Sequence, residues 1–371
     1  MANWDSTKDE DSDLTAEQWN NHVADQKSRV KIEVQENEPD LGVMGSQWAK
    51  PSVDKSSIIS EEVNKYDIRG SDTPIVYDQT RDLIYTNRGL NDIVALNPND
   101  FSLSWELVDA TNSGTLNYHQ PSDLIVKGSI GGVLDVEDIA AIDPETQDIV
   151  WELDPNYDPN FSDVLSRGSN DYIIFVDDDG DIIQLDITDG SETTSDTHTE
   201  GDAYSMAADN DELDMFMIIG NMDGSVSMYD ARFISHQWTE QIHSDRVGAV
   251  DLNKRIVATG SWDESIRLFD VDLPEEPIWK HSQHTDRVMG IKIGENYVYS
   301  ADRSGTVLVT DKNSGIVVGE VDTDEAIAGN VEVSDESLFV ATSNDDWLNM
   351  YNFEETIDLF VSDGQNWIRV N

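Results

Sequence analysis

Clustered carboxylates, histidines, and tryptophans or arginines in turns are the side chains of this sequence that could carry chemistry. The run Asp177-Asp-Asp-Gly-Asp181 offers the hard oxygen ligands that calcium prefers. It lacks the alternating ligand spacing of a calcium-binding loop, because Phe175 stands where the first ligand belongs. It reads as a hairpin turn, and an ion trapped there in strong salt would be adventitious. The seven histidines contain no His-Glu-x-x-His pair. His281 and His284 lie three apart in a non-helical stretch, where that spacing does not bring both to one face. There is no cysteine, which removes thiolate chemistry and disulfides. A nucleophile elbow, a phosphate loop and a dinucleotide fingerprint are also missing from the sequence. No catalytic residue, metal centre or cofactor is expected, and the chain reads as a binding protein, not an enzyme.

Charge narrows the partners. The 371 residues carry 23 Lys and Arg against 76 Asp and Glu, a formal charge of −53. Nucleic-acid binding needs cationic side chains against phosphate, so it is excluded, and an anionic membrane surface is disfavoured for the same reason. The first 70 residues account for −7 and the rest for −46, so the acid is spread over the presumed folded part and does not form a tail. Such a surface repels itself at low salt. At about 1 M salt the Debye length falls to about 3 Å and the repulsion is screened. The composition therefore reads as halophilic. No apolar run approaches the roughly 18 residues of a membrane span, and the N-terminus has neither the basic nor the apolar region of a signal peptide.

What must position these residues is an internal repeat. A short apolar strand closing on Asp or Asn occurs at Ile93–Asn97, Ile139–Asp143, Ile182–Asp186, Val226–Asp230, Ile266–Asp270, Val307–Asp311 and Leu348–Asn352. The closing residues are 46, 43, 44, 40, 41 and 41 apart. Upstream of each lies another β-rich run bounded by turn residues, as in Met215–Ile219 before Asp223-Gly224. A unit of this length holds four short antiparallel strands. Helical periodicity is absent from residue 71 onward. The expected fold is all-β: a seven-bladed β-propeller of four-stranded antiparallel blades over residues 66–371, preceded by an arm over residues 1–65. Thr356–Val361, Trp367–Val370 and Tyr66–Ile68 are the candidates for completing an open blade, since an unpaired edge would otherwise be exposed. Asp163–Arg167 and the acidic loop Ser191–Gly201 read as solvated surface.

Two repeat families show in the blades. His243-Ser-Asp-Arg-Val247 followed by Ile256-Val-Ala-Thr-Gly-Ser-Trp-Asp-Glu-Ser-Ile-Arg-Leu-Phe-Asp270 resembles a WD40 repeat, and blade 6 opens similarly with His284-Thr-Asp-Arg-Val288. The resemblance implies a structural hydrogen-bond network of His243, Thr259 and Asp263, with His284 in the next blade. Phe269 stands where that family has Trp, which leaves the network incomplete. Asn97-Pro-Asn-Asp-Phe-Ser-Leu-Ser-Trp105 and Asp143-Pro-Glu-Thr-Gln-Asp-Ile-Val-Trp151 resemble the quinoprotein-type repeat. Quinone-dependent enzymes of that type usually have eight blades, a secretion signal and a calcium-bound cofactor; seven repeats and no signal argue against that activity. Aligning the repeats places Gly89, Asp135, Asp178, Met222, Trp262, Arg303 and Asn344 at one equivalent turn, ringing one face. Trp262, Arg303 and Met222 are the expected partner-binding residues of that face, since Trp and Arg are enriched at binding hot spots. The alternative for Trp262 is packing flat on the neighbouring blade.

The arm has its own pattern. Thr15 is placed to cap a helix of about residues 15–28, with Gln18 closing the capping box and Leu14 stapled onto Trp19; the rest of the arm reads as extended. Leu14-Thr-Ala-x-x-Trp-Asn-x-His-Val-x-Asp25 resembles the N-terminal docking segment of tailed-virus fibre and adhesin proteins. Leu14, Trp19, His22 and Val23 are the residues that carry the docking reading; an amphipathic helix folded back on its own propeller is the alternative. The expectation is a virion component of a halophilic archaeal virus. It would dock to other virion proteins through the arm and display the propeller to a host surface protein or glycan, without nucleic acid or membrane insertion. Self-association into a homo-oligomer is compatible with this reading. The alternative is a cytoplasmic WD40-like interaction scaffold of a halophilic archaeon.

Overall fold

The computed structural model describes residues 49–52 and 59–370, except for short stretches between strands. The arm residues Leu14, Trp19, His22 and Val23, the helix expected over 15–28, and the turn residues Asp135, Asp178 and Asn344 lie outside the described residues. The unit Lys55–Glu354 contains seven four-stranded antiparallel sheets, and its described residues include no α-helix. Each sheet packs its first strand against the first strand of the next, and blade 7 returns to blade 1, so the ring is closed. This is a seven-bladed β-propeller.

In every blade the repeated apolar segment is the third strand, from Asp92–Leu96 in blade 1 to Trp347–Phe353 in blade 7. Its closing residue has a physical job. The Oδ1 of Asn97, Asp143, Asp186, Asp230, Asp270 and Asp311 accepts the backbone N–H two residues on, at 2.8–3.2 Å. This Asx turn starts the connection to the fourth strand. Second and third strands are apolar because both their faces lie between blades: Met215–Asn221 is buried throughout. Leu165, Ile174 and Val176 of blade 3 meet Met215, Met217 and Ile219 of blade 4 in one such layer. Fourth strands face solvent, and the segment expected as an acidic loop contains one, Glu192–Thr197, almost wholly exposed.

The ring is closed from its N-terminal side. Ile59–Asp67 pairs antiparallel with Trp347–Phe353 and supplies the outer strand of blade 7, and the chain then enters blade 1. The other two candidate regions instead form a separate three-stranded antiparallel sheet, in which Asp358–Ser362 is central and pairs with Ala49–Ser52 on one side and Trp367–Val370 on the other. That sheet belongs to a second unit, Met1–Asp54 with Glu355–Asn371.

Side chains reinforce the ring at two radii. At the inner strands, Asp163 of blade 3 accepts the Ala208 N–H of blade 4 at 2.8 Å, and Asp209 of blade 4 accepts the Lys254 N–H of blade 5 at 2.7 Å. Asp251 of blade 5 accepts the Ile293 N–H of blade 6 at 2.6 Å, and Lys292 donates to Glu332 of blade 7 at 3.0 Å. Asp163 is therefore an inter-blade acceptor and not the solvated surface residue expected from sequence. Desolvation pushes Asp163 up to about 7 and Asp251 up to about 6, against the backbone bonds they receive. Further out, Trp151, Trp238 and Trp279 donate from Nε1 to the carbonyls of Ile187, Val271 and Lys312 in the next blade, at 2.7, 3.0 and 2.8 Å. Gly190 and Gly315 give room for this: a Cβ at either would fall 2.8 or 2.6 Å from the Trp151 or Trp279 side chain. The Asp-to-Trp pattern seen in blades 1 and 2 thus recurs in blades 4 and 5.

Candidate partner-binding face

Chain direction puts the turn between second and third strands on the same face as the loop that enters each blade. Hydrogen bonds clip the two together. Backbone N–H groups of Gly89, Met222, Trp262 and Arg303 donate to the carbonyls of Ile68, Asp202, Arg246 and Arg287, at 2.6, 2.9, 2.9 and 2.8 Å. These four turn residues are equivalent in the structure, as they are in the repeat alignment. Arg246 and Arg287 are their loop-side counterparts in blades 5 and 6.

Buried histidines brace this end of the blades. His243 meets Thr259 Oγ1 at 2.8 Å through Nε2, and Ser265 Oγ at 3.0 Å and the Asp263 carboxylate at 3.3 Å through Nδ1. In blade 6, His284 meets Ser300 Oγ at 2.7 Å and Asp302 Oδ2 at 3.1 Å. Asp302 comes from the end of the second strand and not from the turn position of Asp263, so the two blades reach the same contact by different routes. Blade 4 has a counterpart not singled out from the sequence. His198 meets Asn221 Oδ1 at 2.9 Å and the Tyr229 hydroxyl at 2.6 Å. Its signal was its distance of 45 residues from His243, close to the repeat length. Burial holds His198 and His243 below the ordinary histidine value. Burial works against Asp302, yet hydrogen bonds from His284 and Ser304 bring it down to about 2.

Above this bracing lies a cluster of cations and aromatic rings. The Arg246 guanidinium carbon is 4.1 Å from the centroid of Trp262 and 4.5 Å from that of Tyr204. Arg287, from the blade 6 loop, lies 4.0 Å over the same Trp262 ring. Tyr204 meets Trp262 edge-on at 5.7 Å. The backbone explains how they converge. The first strands of blades 4 and 5 each shift register at one residue, Tyr204 and Gly248 respectively. A bulge re-aims the extra residue. In blade 4 it presents Tyr204 to Arg246. In blade 5 Gly248 leaves the space that Trp262 fills, since a Cβ there would sit 3.1 Å from the indole and 2.3 Å from the Val288 carbonyl oxygen. Trp262 is half-buried against its own blade with an arginine of the next blade over it, so it combines the exposed and packed readings. Arg303 is exposed on the adjacent turn, and Met222 is 42% exposed on the other side. Arg246, Arg287 and Tyr204 were not singled out from the sequence. The signal for the arginines was the repeated His-x-Asp-Arg-Val segment, noted only as a repeat marker.

No family model matches the chain. A segment of 98 residues, 26% of the chain, is 30% identical to the WD repeat-containing protein srw1 of Schizosaccharomyces pombe, of which it spans 18%. Among solved structures, BamB from Moraxella catarrhalis superposes with a TM-score of 0.57 at 15% identity, over 80% of this chain and all of that one. The fold is WD40-like and BamB-like. The two likenesses match the two repeat types in the sequence, and they bear on architecture, not on a partner.

Proposed function

We propose that this chain is a non-enzymatic binding protein that takes a protein partner on the face formed by blades 4 to 6. The observation that carries the reading is the cluster of Tyr204, Arg246, Trp262 and Arg287, flanked by Met222 and Arg303. Aromatic and arginine side chains that are half-buried yet reachable are the kind that dominate interface energetics. Propellers present such loops on a rigid ring, and the general role of an interaction scaffold follows from that.

The finer reading is a virion component of a halophilic archaeal virus, attached through residues 1–65 and displaying the propeller to a host protein or glycan. Its support is the docking-segment resemblance of Leu14–Asp25 and the charge of −53. A cytoplasmic scaffold is the second reading, favoured by the 98-residue likeness to a WD repeat-containing protein. Two measurements decide. Trp262→Ala combined with Arg303→Ala weakens binding to host cells or partner particles in molar salt while leaving the melting temperature in place; unchanged binding removes the face. Deleting residues 1–35 abolishes incorporation into particles; normal incorporation removes the arm's docking role.

A further inference from the structure

We propose that the Arg246–Trp262–Arg287 cluster is a receptor for an acidic peptide segment, whose carboxylates take places that no described side chain fills. The inference rests on the binding-face reading above and specifies its partner chemistry.

The argument starts from where arginines are neutralised. Side chains of eight arginines are described. Arg81, Arg88, Arg232 and Arg255 each have a carboxylate in ion-pair range. Arg246, Arg267, Arg287 and Arg303 have none among the described residues, and all four belong to blades 5 and 6. In a chain with 76 carboxylates this is not a shortage of partners. The neighbouring acids are turned away. Asp245 Oδ1 accepts the backbone N–H of Arg246, and Asp286 Oδ1 that of Arg287, both at 2.7 Å. Asp302, beside Arg303, is occupied by His284, Ser304 and Thr306.

Two guanidinium groups over one indole also repel each other. The ring face offsets part of this through its quadrupole. A carboxylate between or beside them would remove the rest and satisfy terminal Nη donors that no described residue uses, in the bidentate geometry that Arg offers. Arg246 Nε and Trp262 Nε1 are buried without acceptors among the described residues, so the cluster carries desolvated donors before anything binds. Its size sets the ligand. Two or three cations beside two aromatic rings and an exposed methionine suit one or two carboxylates on a short peptide with apolar contacts. A long polyanion such as nucleic acid would meet the surrounding negative field along its whole length.

The test is calorimetric titration of the full chain in 2 M KCl, where long-range repulsion is screened. The probe is an amidated octapeptide of four Gly-Glu repeats, with a Gly-Lys octapeptide and sodium sulfate as comparison arms. The wild type binds the acidic peptide, and Arg246→Gln and Arg287→Gln each weaken it about ten-fold or more, with melting temperatures unmoved. Sulfate alone does not reproduce the binding. Absence of acidic-peptide binding, wild-type affinity in both variants, preference for the basic peptide, or full reproduction by sulfate would each overturn the proposal. If the peptide fails while Trp262→Ala with Arg303→Ala still abolishes cell or particle binding, the face stands and only its acidic specificity falls.

Discussion

Blades 1 and 2 and blades 5 and 6 share one architecture but assign opposite work to the same residue types. Arg81 of blade 1 reaches Asp123 of blade 2 through both terminal nitrogens at 2.6 Å, and also pairs with buried Asp78 at 3.1 Å. Tyr85 and Tyr118 donate their hydroxyls to the same two carboxylates, at 2.7 and 3.0 Å. There the arginine holds the blades together, while the indole N–H of Trp105 is buried with no acceptor among the described residues. Between blades 5 and 6 the tryptophan is the tie, Trp279 to the Lys312 carbonyl, and Arg246 and Arg287 have no carboxylate partner among the described residues. Residue type therefore does not distinguish structure from function here. The proposed assignment turns on whether an arginine meets a carboxylate.

The largest effect that sharpens this contrast is expected at the tryptophan tie. Trp279→Ala empties a buried site over Gly315 and costs about 3–5 kcal/mol. Trp279→Phe retains most of the ring and costs about 1 kcal/mol for the lost hydrogen bond, while Trp105→Phe costs close to nothing. Equal losses for the two Phe variants, measured by chemical unfolding, would erase the distinction. Next is Gly248→Ala. Its Cβ meets a backbone carbonyl that cannot rotate away, so it costs about 1–3 kcal/mol and displaces Trp262. Unchanged Trp fluorescence with unchanged stability would show that the bulge does not position the indole.

The smallest effect is in pH. His198 and His243 are held below their ordinary value, so their contribution is complete above about pH 6.5 and is lost as pH falls. Asp163 is pushed up to about 7, so its contribution runs the other way: stability is gained as pH falls from 7 toward 4. Asp163→Asn removes only the second part, and its stability falls more steeply than the wild type's between pH 7 and 5, by about 1 kcal/mol. A parallel profile in thermal unfolding would return Asp163 to an ordinary surface carboxylate.

The fold was legible where two physical demands coincide. Third strands are buried on both faces and end on the Asp or Asn that their turn requires, so seven of them could be counted from spacing alone. The fourth strand Glu192–Thr197 has no such mark: exposed on the rim, it reads as an acidic loop. Ring closure by Ile59–Asp67 was legible only at its end, with Tyr66–Ile68 as one of three candidates, because its partner strand is nearly 300 residues away. At the site, the equivalence of Met222, Trp262 and Arg303 followed from repeat alignment. Tyr204 did not, because its orientation depends on a single-residue bulge that leaves no trace in composition. Asp163 was misread because an acidic side chain on an inner strand looks, in sequence, like one on the surface.

The central claim, that carboxylate-paired Arg81 ties two blades together while Arg246 and Arg287 serve binding, is tested most directly by comparing Arg81→Gln with Arg287→Gln in molar salt, reading melting temperature and acidic-peptide affinity on the same samples. Arg81→Gln leaves Asp78 buried without its counter-ion and is expected to lose about 2–3 kcal/mol with peptide affinity intact. Arg287→Gln is expected to change stability by no more than about 1 kcal/mol and to lose peptide affinity. The opposite pattern, or equal melting losses in both with affinity falling in parallel, would contradict the account.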